Sequence, residues 1–410
     1  MSKPITSLDS LCKQPWIQAE LSYVQSILDY LLDEEARQAP EVARVLRGFS
    51  AARGKLLRPL LVILGARTEG SGPEVYPPGY PSQKSGAPGT AELSRILRHD
   101  HGFLTRLKRS GWTVSAKEHQ EILEWKNQPA FPGGLPRRIY LLAASLELLH
   151  LATLVHDDVI DGSTQRRGLP AVWKQIGASQ AVLLGDLLLS LTFALVSHGA
   201  EPQTGQLLSS MVRVMCRSEF FQAEDRERFF TLLQNPSRRR YVRVITGKTA
   251  LLFSLAFHVG AREMGAEGSR AQMLRRAGYY LGLAFQIQDD ILDFKGDPKR
   301  FGKPLGQDLR DGQITLPVIE ALKSSQKNER VRLIQGIRRF KSGDENAFSE
   351  ILEEIETAGG FVAAHNEAHT YMVRAEAEID RVFQDGPSSG HEGLRTTLVD
   401  LNTLLASRRY

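Results

Sequence analysis

The chain has 410 residues, 42% of them hydrophobic and 24% charged, and carries a formal net charge of +5. This is the composition of an ordinary globular protein with enough length for a large core, and the positive balance suits anionic ligands. The cations are spread too widely for a nucleic-acid footprint, and Cys12 and Cys216 form neither a disulfide nor a ligand pattern.

No secretory signal follows Met1-Ser2-Lys3-Pro4. The expected setting is therefore reducing and cytoplasmic, at most peripheral to a membrane. Residues 14–36 predict an amphipathic helix: Leu21, Val24, Ile27, Leu28, Leu31 and Leu32 recur at helical spacing and mark a core or dimer-facing element. Gly54-Lys55-Leu56-Leu57-Arg58-Pro59 then opens an apolar run to Ala66. Lys55 and Arg58 are three apart and share a helix face, and Pro59 is tolerated in a first turn. Such a pair is suited to a diphosphate, or is simply solvated.

Residues 68–90 are rich in Gly, Pro and Ser and predict a loop. A basic helix is expected over 91–110 and a mixed one over 115–127, before Pro129, Pro132, Gly133, Gly134 and Pro136 close the segment. Residues 69–135 thus read as an insertion between two core helices. It is a candidate contact for a partner subunit or an anionic membrane, or a surface elaboration.

From Arg137 a helix is expected, with Leu141, Ala144, Leu148, Leu149 and Ala152 on its apolar face. It delivers Asp157, Asp158 and Asp161, and Arg166-Arg167-Gly168 follow. Asp157 and Asp161 are one turn apart on one face, where like charges repel. A cation between them resolves the repulsion, and oxygen ligands with room for water suit Mg²⁺ held with substrate phosphates. The alternative is a solvated acidic helix end. The same Asp-Asp-x-x-Asp spacing recurs at Asp289, Asp290 and Asp293, which favours two acidic faces meeting across one cavity. His150 lies two turns before Asp157 and faces the same way; alone, it reads as a satisfied core histidine.

Residues 181–196 predict a buried helix too short and too interrupted to span a membrane. Glu219 and Gln222 place an acid and an amide on another helix. Lys248, beside Thr249 in an apolar helix over 241–252, needs an anion or a route to water. Residues 301–309 predict a loop carrying Lys303 as a mobile cation, and 320–380 predict peripheral helices. No strand run or tandem repeat is visible, so the fold class is all-α, one catalytic domain over 1–410 interrupted by the insertion.

Several ordered motifs now stand together: Gly54-Lys55-x-x-Arg58-Pro59, His150, the first acidic motif, Arg166-Arg167-Gly168, Lys248-Thr249, Phe285-Gln286, the second acidic motif, and Gly302-Lys303-Pro304-x-Gly306-x-Asp308. In this order they resemble the all-trans polyprenyl diphosphate synthases, over residues 14–70 and 137–410. The resemblance implies the isoprenoid synthase helical bundle around a central cavity. It implies that Asp157 and Asp161 bind two Mg²⁺ ions on an allylic diphosphate such as farnesyl diphosphate, with Asp158 in support. Asp289 would bind a third, with Asp290 and Asp293 nearby through water. Arg166, Lys248, Gln286 and Lys303 would grip the allylic substrate. Lys55, Arg58, His150 and Arg167 would hold isopentenyl diphosphate, which gives His150 a ligand role.

In the family, large aromatics just before the first acidic motif stop chain growth. Here Ala152 and Thr153 stand there. Ala152 lies roughly 7.5 Å down the helix axis from Asp157, with Leu148 and Leu149 a further turn away. This resembles medium- and long-chain synthases, including catalytic components of two-component heptaprenyl synthases that feed quinone biosynthesis, and it implies a dimer of like or unlike subunits. Three departures stand out: Gly162 where relatives carry a further Asp, Ser218 where Gly is usual, and Gln313 where a Lys is usual. The competing readings are a geranylgeranyl diphosphate synthase, a terpene cyclase, which should lack the second acidic motif and the Lys55/Arg58/His150 set, and a non-catalytic partner subunit, which tends to lose acidic motifs.

Overall fold

In a computed structural model, which describes residues 7–51, 54–69, 116–131, 133–166, 169–296, 304–384 and 392–406, the chain is helical almost throughout, as expected. Among the described residues the only strands are Gln165–Arg166 and Leu169–Pro170, a short antiparallel pair.

Two long helices carry the acidic motifs. The first, Arg137–Ile160, starts behind Pro136 and is buried on nearly every side below Leu149. It ends in a Schellman arrangement: Ser163 N–H donates to the Asp158 carbonyl at 3.1 Å and Gly162 N–H to that of Val159 at 3.3 Å. Gly162 has φ +63°, a conformation that costs a residue with a side chain roughly 1–2 kcal/mol. Its departure from the usual Asp therefore has a local cause. The second, Gly268–Lys295, presents Leu281, Ala284, Ile287, Ile291 and Phe294 inward and runs between the two apolar clusters of the core.

Between them lies a segment that the helical pattern over 241–252 did not resolve. Arg238–Ile245 leads into a π-helical turn, Thr246–Ala250, and then into Leu251–Glu263. Leu251–Glu263 is packed on one side by Leu57–Arg67 and on the other by the second acidic helix. The approach on the first side is backbone to backbone: a Cβ on Gly260 would lie 2.0 Å from the Val62 carbonyl oxygen. On the second side, a Cβ on Gly282 would lie 2.6 Å from Ala250 Cα. Larger residues at either glycine would push the lysine-bearing turn out of place.

Two expectations are corrected. Residues 320–380 are not all peripheral. Gly360–Gln384 lies along the second acidic helix and buries Phe361, Ala364, Ala368 and Ala375. Ala178–Gly199, expected to be buried, packs on the first acidic helix by one face only and leaves Val182, Leu183 (66% exposed) and Phe193 uncovered.

The basic helix expected over 91–110 lies outside the described residues. The helix expected over 115–127 is present as Ala116–Asn127. Both ends of the intervening segment are fastened to the core. Arg67 donates to buried Glu20 and, at 3.0 Å, to the Gly133 carbonyl. Tyr140 Oη donates to Glu20 and accepts from Leu135 N–H at 3.0 Å. Arg270 donates to Glu69 at 2.9 Å, to the Thr68 carbonyl at 3.1 Å and to the Val382 carbonyl at 2.6 Å.

Candidate active site

The carboxylates of the first motif have different partners. Asp158 is buried and accepts from Arg166 Nε and Nη2 at 2.7–2.9 Å, a bidentate pair that sets Arg166 at the mouth of the helix. Asp161, just past the last helical residue, is 2.5 Å from Arg226 Nη2. Asp157 faces a crowded field. Burial, with the charges of Glu219 and Asp161 added, pushes its carboxyl up to about 7, although Lys248 and Arg166 pull the other way. Glu219 is raised too, by burial first and then Asp161. Burial alone would lower Lys248, but Asp157, Asp161, Asp308 and Glu219 together outweigh it and hold the ammonium charged. One lysine is thus ringed by four carboxylates drawn from three separate stretches of chain.

Lys248 is carried by the π-turn, and Ser218 packs against that turn. A Cβ on Gly247 would lie 1.8 Å from Ser218 Oγ and 2.3 Å from Ser218 Cβ. The side chain gained at Ser218 fills the space that Gly247 leaves.

The second motif is organised by a polar chain. Thr249 Oγ1 donates to Gln286 Oε1 at 2.6 Å, Gln286 Nε2 donates to Asp290 Oδ1 at 3.0 Å, and Tyr241 Oη donates to Asp290 Oδ2 at 2.6 Å. Asp290 is buried; burial and the charge of Asp308 push it up to about 8 despite these donors. Asp293 holds a backbone turn that its spacing did not announce. Its carboxylate accepts from the backbone N–H groups of Gln307 at 3.2 Å and Asp308 at 3.1 Å, and so fixes the turn that aims Asp308. Asp289, partly exposed, pushes Asp290 in the same upward direction through its like charge. Lys248, Gln286, Asp290, Asp308, Gln222 and Gln313 line one cavity of about 90 Å³.

A larger cavity, about 580 Å³, opens between the first acidic helix and the N-terminal helices and is lined by Gly54, Leu56, His150, Asp158 and Arg166 among apolar residues. Lys55 and Arg58, on the same stretch as Gly54 and Leu56, are not among its lining residues. Lys55 pairs with Asp9 at 3.0 Å on the surface, and Arg58 stacks 5.8 Å from the Phe253 ring centroid. Leu56, between them, has φ +47° and is the only non-glycine with positive φ among the described residues. Arg167 and Lys303 lie outside the described residues. Of the chain-length positions, Leu148, Leu149 and Ala152 are fully buried in the core, whereas Thr153 is partly exposed, one turn below Asp157. None of the four lines either cavity.

Two residues at the site escaped the sequence reading, Arg226 and Tyr241. Arg226 had a signal: Glu219, Gln222 and Arg226 recur at i, i+3 and i+7 and share a face of Pro202–Glu227. Tyr241 had none.

A profile of the polyprenyl synthetase family matches residues 122–355. The chain belongs to that family. It is 34% identical over 273 residues to heptaprenyl diphosphate synthase component 2 of Bacillus subtilis, covering 67% of this chain and 74% of that relative. It is 32% identical over 254 residues to a geranylgeranyl diphosphate synthase of Sulfolobus acidocaldarius, covering 61% and 76%. A polyprenyl synthase of Caulobacter crescentus, solved with calcium and isoprenyl diphosphate, superimposes with a TM-score of 0.73 at 27% identity, covering 100% of both chains. As a polyprenyl synthetase the chain has the all-α isoprenoid synthase fold and is a prenyltransferase acting on isoprenyl diphosphates.

The family's chemistry calls for a metal, and the donor set fits one. Among the described residues no three carboxylate, imidazole or thiolate donors converge on one point. A bare three-ligand protein site is not needed, because Mg²⁺ keeps several waters and takes one or two carboxylates plus phosphate oxygens. Asp157 is desolvated among like charges, and Asp161 Oδ1 is buried without a hydrogen bond against the Arg226 guanidinium. Both are relieved by a cation with oxygen ligands.

Proposed function

We propose that the chain condenses isopentenyl diphosphate with an allylic diphosphate such as farnesyl diphosphate. It would release diphosphate and extend the product beyond C20 to an all-trans polyprenyl diphosphate for quinone side chains. The observation that carries this is the ring of Asp157, Asp161, Glu219 and Asp308 around Lys248, with Gln286 and Asp290 in the same cavity.

Asp157, Asp161 and Asp289 would hold Mg²⁺, about three ions in all by the resemblance, and when bound these supply electrostatic stabilisation of the departing diphosphate. Lys248 and Gln286 orient the allylic diphosphate so that its C–O bond breaks with charge already compensated. Thr249 holds the Gln286 amide so that its NH₂ points at Asp290. His150 and Arg166 line the larger cavity, which suits isopentenyl diphosphate; by the resemblance Lys55, Arg58 and Arg167 would join His150 in holding that substrate, and Lys303 would join Arg166 in gripping the allylic one. The double bond then attacks the allylic cation, and the proton lost goes to the released diphosphate, since among the described residues no side chain is set apart as a base. Apolar walls keep water from the cation.

The exposed apolar residues of two neighbouring helices, Leu183 and Phe193 on one and Val214 and Phe220 (77% exposed) on the other, support a dimer, with a second copy or an unlike subunit. One catalytic domain, cytoplasmic and in transient contact with the membrane that receives its product, completes the reading. The test is to incubate the chain with Mg²⁺, farnesyl diphosphate and labelled isopentenyl diphosphate and to size the products. Chains beyond C20 support the proposal. A stop at C20 makes the chain a geranylgeranyl diphosphate synthase. No product even with cell extract supplying a partner overturns the reading.

A further inference from the structure

We propose that Arg226 is a positioning residue of the first acidic site. Its guanidinium holds Asp161 while the site lacks metal, yields that carboxylate when a divalent cation arrives, and then turns to the diphosphate. The proposal rests on the prenyl-transfer reading and deepens it.

Arg226 projects from the last turn of Pro202–Glu227, a helix separate from either acidic motif. Its Nη2 is 2.5 Å from Asp161 Oδ1, with side-chain exposures of 19% and 14%, so the pair is largely shielded from solvent. Its Nε is buried and makes no hydrogen bond among the described residues. A guanidinium has five donors in a planar fork, and this one spends little of that capacity on the protein. The stem lies against the turn before Gln313: a Cβ on Gly312 would be 3.7 Å from both Arg226 Cα and Cβ. Gln313 itself lines the cavity that holds Lys248 and brings no charge to it. Asp157, Asp161, Glu219 and Asp308 crowd Lys248, and Arg226 is a second cation, weaker than Lys248, acting on Glu219.

These facts define a competition. A divalent ion that takes Asp161 Oδ1 competes with the guanidinium that lies against that oxygen, and in our proposal the ion displaces Arg226. The displaced fork then faces a site filling with phosphate oxygens, which it can meet with two parallel hydrogen bonds. A merely structural ion pair would not gain an anion in exchange for the carboxylate it gives up.

The experiment uses the full chain and two probes. Mn²⁺ binding without substrate is followed by electron paramagnetic resonance of the free ion, and inorganic pyrophosphate binding in saturating Mg²⁺ by calorimetry. Arg226→Met should tighten Mn²⁺ and weaken pyrophosphate, each by about tenfold, the worth of roughly one charge-assisted hydrogen bond. Arg226→Lys, which keeps the charge without the fork, should leave Mn²⁺ near the original affinity and weaken pyrophosphate by a smaller factor. If the Met variant does not fold, the Lys variant's pyrophosphate loss carries the test. Unchanged affinities, or two losses of the same sign, overturn the role of Arg226 alone. An unsubstituted chain that binds neither probe overturns the prenyl-transfer reading and this proposal with it.

Discussion

Replacing Gly247 with alanine should damage the site through one measurable clash. The new Cβ would lie 1.8 Å from Ser218 Oγ and 2.3 Å from Ser218 Cβ. Rotation about χ1 can carry the hydroxyl away, but Cβ is fixed to the backbone. Carbon atoms rest about 3.5 Å apart or more, so the π-turn and Pro202–Glu227 must separate by roughly 1.2 Å. Ser218 is only 6% exposed and neighbours Glu219, and Gly247 neighbours Lys248, so the separation falls between the lysine and its carboxylates. Overpacking of this kind costs about 1–3 kcal/mol. Gly247→Ala should lose about that much in urea unfolding, and turnover should fall more steeply than stability, because a displacement near 1 Å at a positioned group costs about a hundredfold in rate. Ser218→Gly alone should be nearly neutral, and the double variant Ser218→Gly/Gly247→Ala should recover both losses. A coupling energy in that cycle below about 0.5 kcal/mol, the scatter of independent sites, would refute the steric account.

Other outcomes follow from the buried charges and from the chain-length positions. Asp157 has a folded pKa of about 7, above its ordinary value near 4, so the fold prefers its protonated form. Its contribution to the metal-free protein is therefore complete below about pH 4 and is lost as pH rises through about 7, and Asp290, at about 8, extends the loss. Thermal unfolding in chelator should show a melting temperature that falls from about pH 5 to about pH 8, with Mg²⁺ and pyrophosphate restoring most of it; a flat chelator profile contradicts the assignment. Thr153→Phe should shorten the product toward C20 with little loss of stability, whereas Ala152→Phe, overfilling a core position that is 2% exposed, should cost about 1–3 kcal/mol. Product sizing paired with unfolding curves checks both. Arg67→Met strands the buried Glu20 carboxylate and should cost about 3–5 kcal/mol in urea unfolding; a loss under about 1 kcal/mol would mean that the pair is not insulated from water.

The parts of the site that sequence made legible are those whose cost is local. Two acidic triplets inside apolar helices, and a lysine amid Thr and Gly in another, are expensive wherever they sit, so they announce a shared partner before any fold is known. Asp293 shows the limit of that logic. Its spacing matches Asp161, yet its carboxylate is used on the backbone of a turn that arrives from later in the chain. Arg226 was on a visible helical face, but no pattern within its own helix says that Asp161 lies opposite. The π-turn was hidden because the apolar spacing over 241–252 is that of an ordinary helix, and nothing local marks the extra residue in the turn. Ala178–Gly199 misled for the opposite reason: its residues are apolar all round, which reads as full burial, while the cover for its outer face is absent from the described residues of the chain.

The fastening of residues 67–69 and 133–135 gives the molecule a natural splice point. Arg67, where the chain departs, bonds through its guanidinium to buried Glu20 and to the carbonyl of Gly133, where the chain returns, so the two ends are already held together by groups of the core. Whatever sequence is placed between them need not supply the free energy of closing that loop. The bundle can therefore accept a short linker, a reporter domain or a binding module at this position, exchanging what it recognises while the chemistry at Lys248 is left alone.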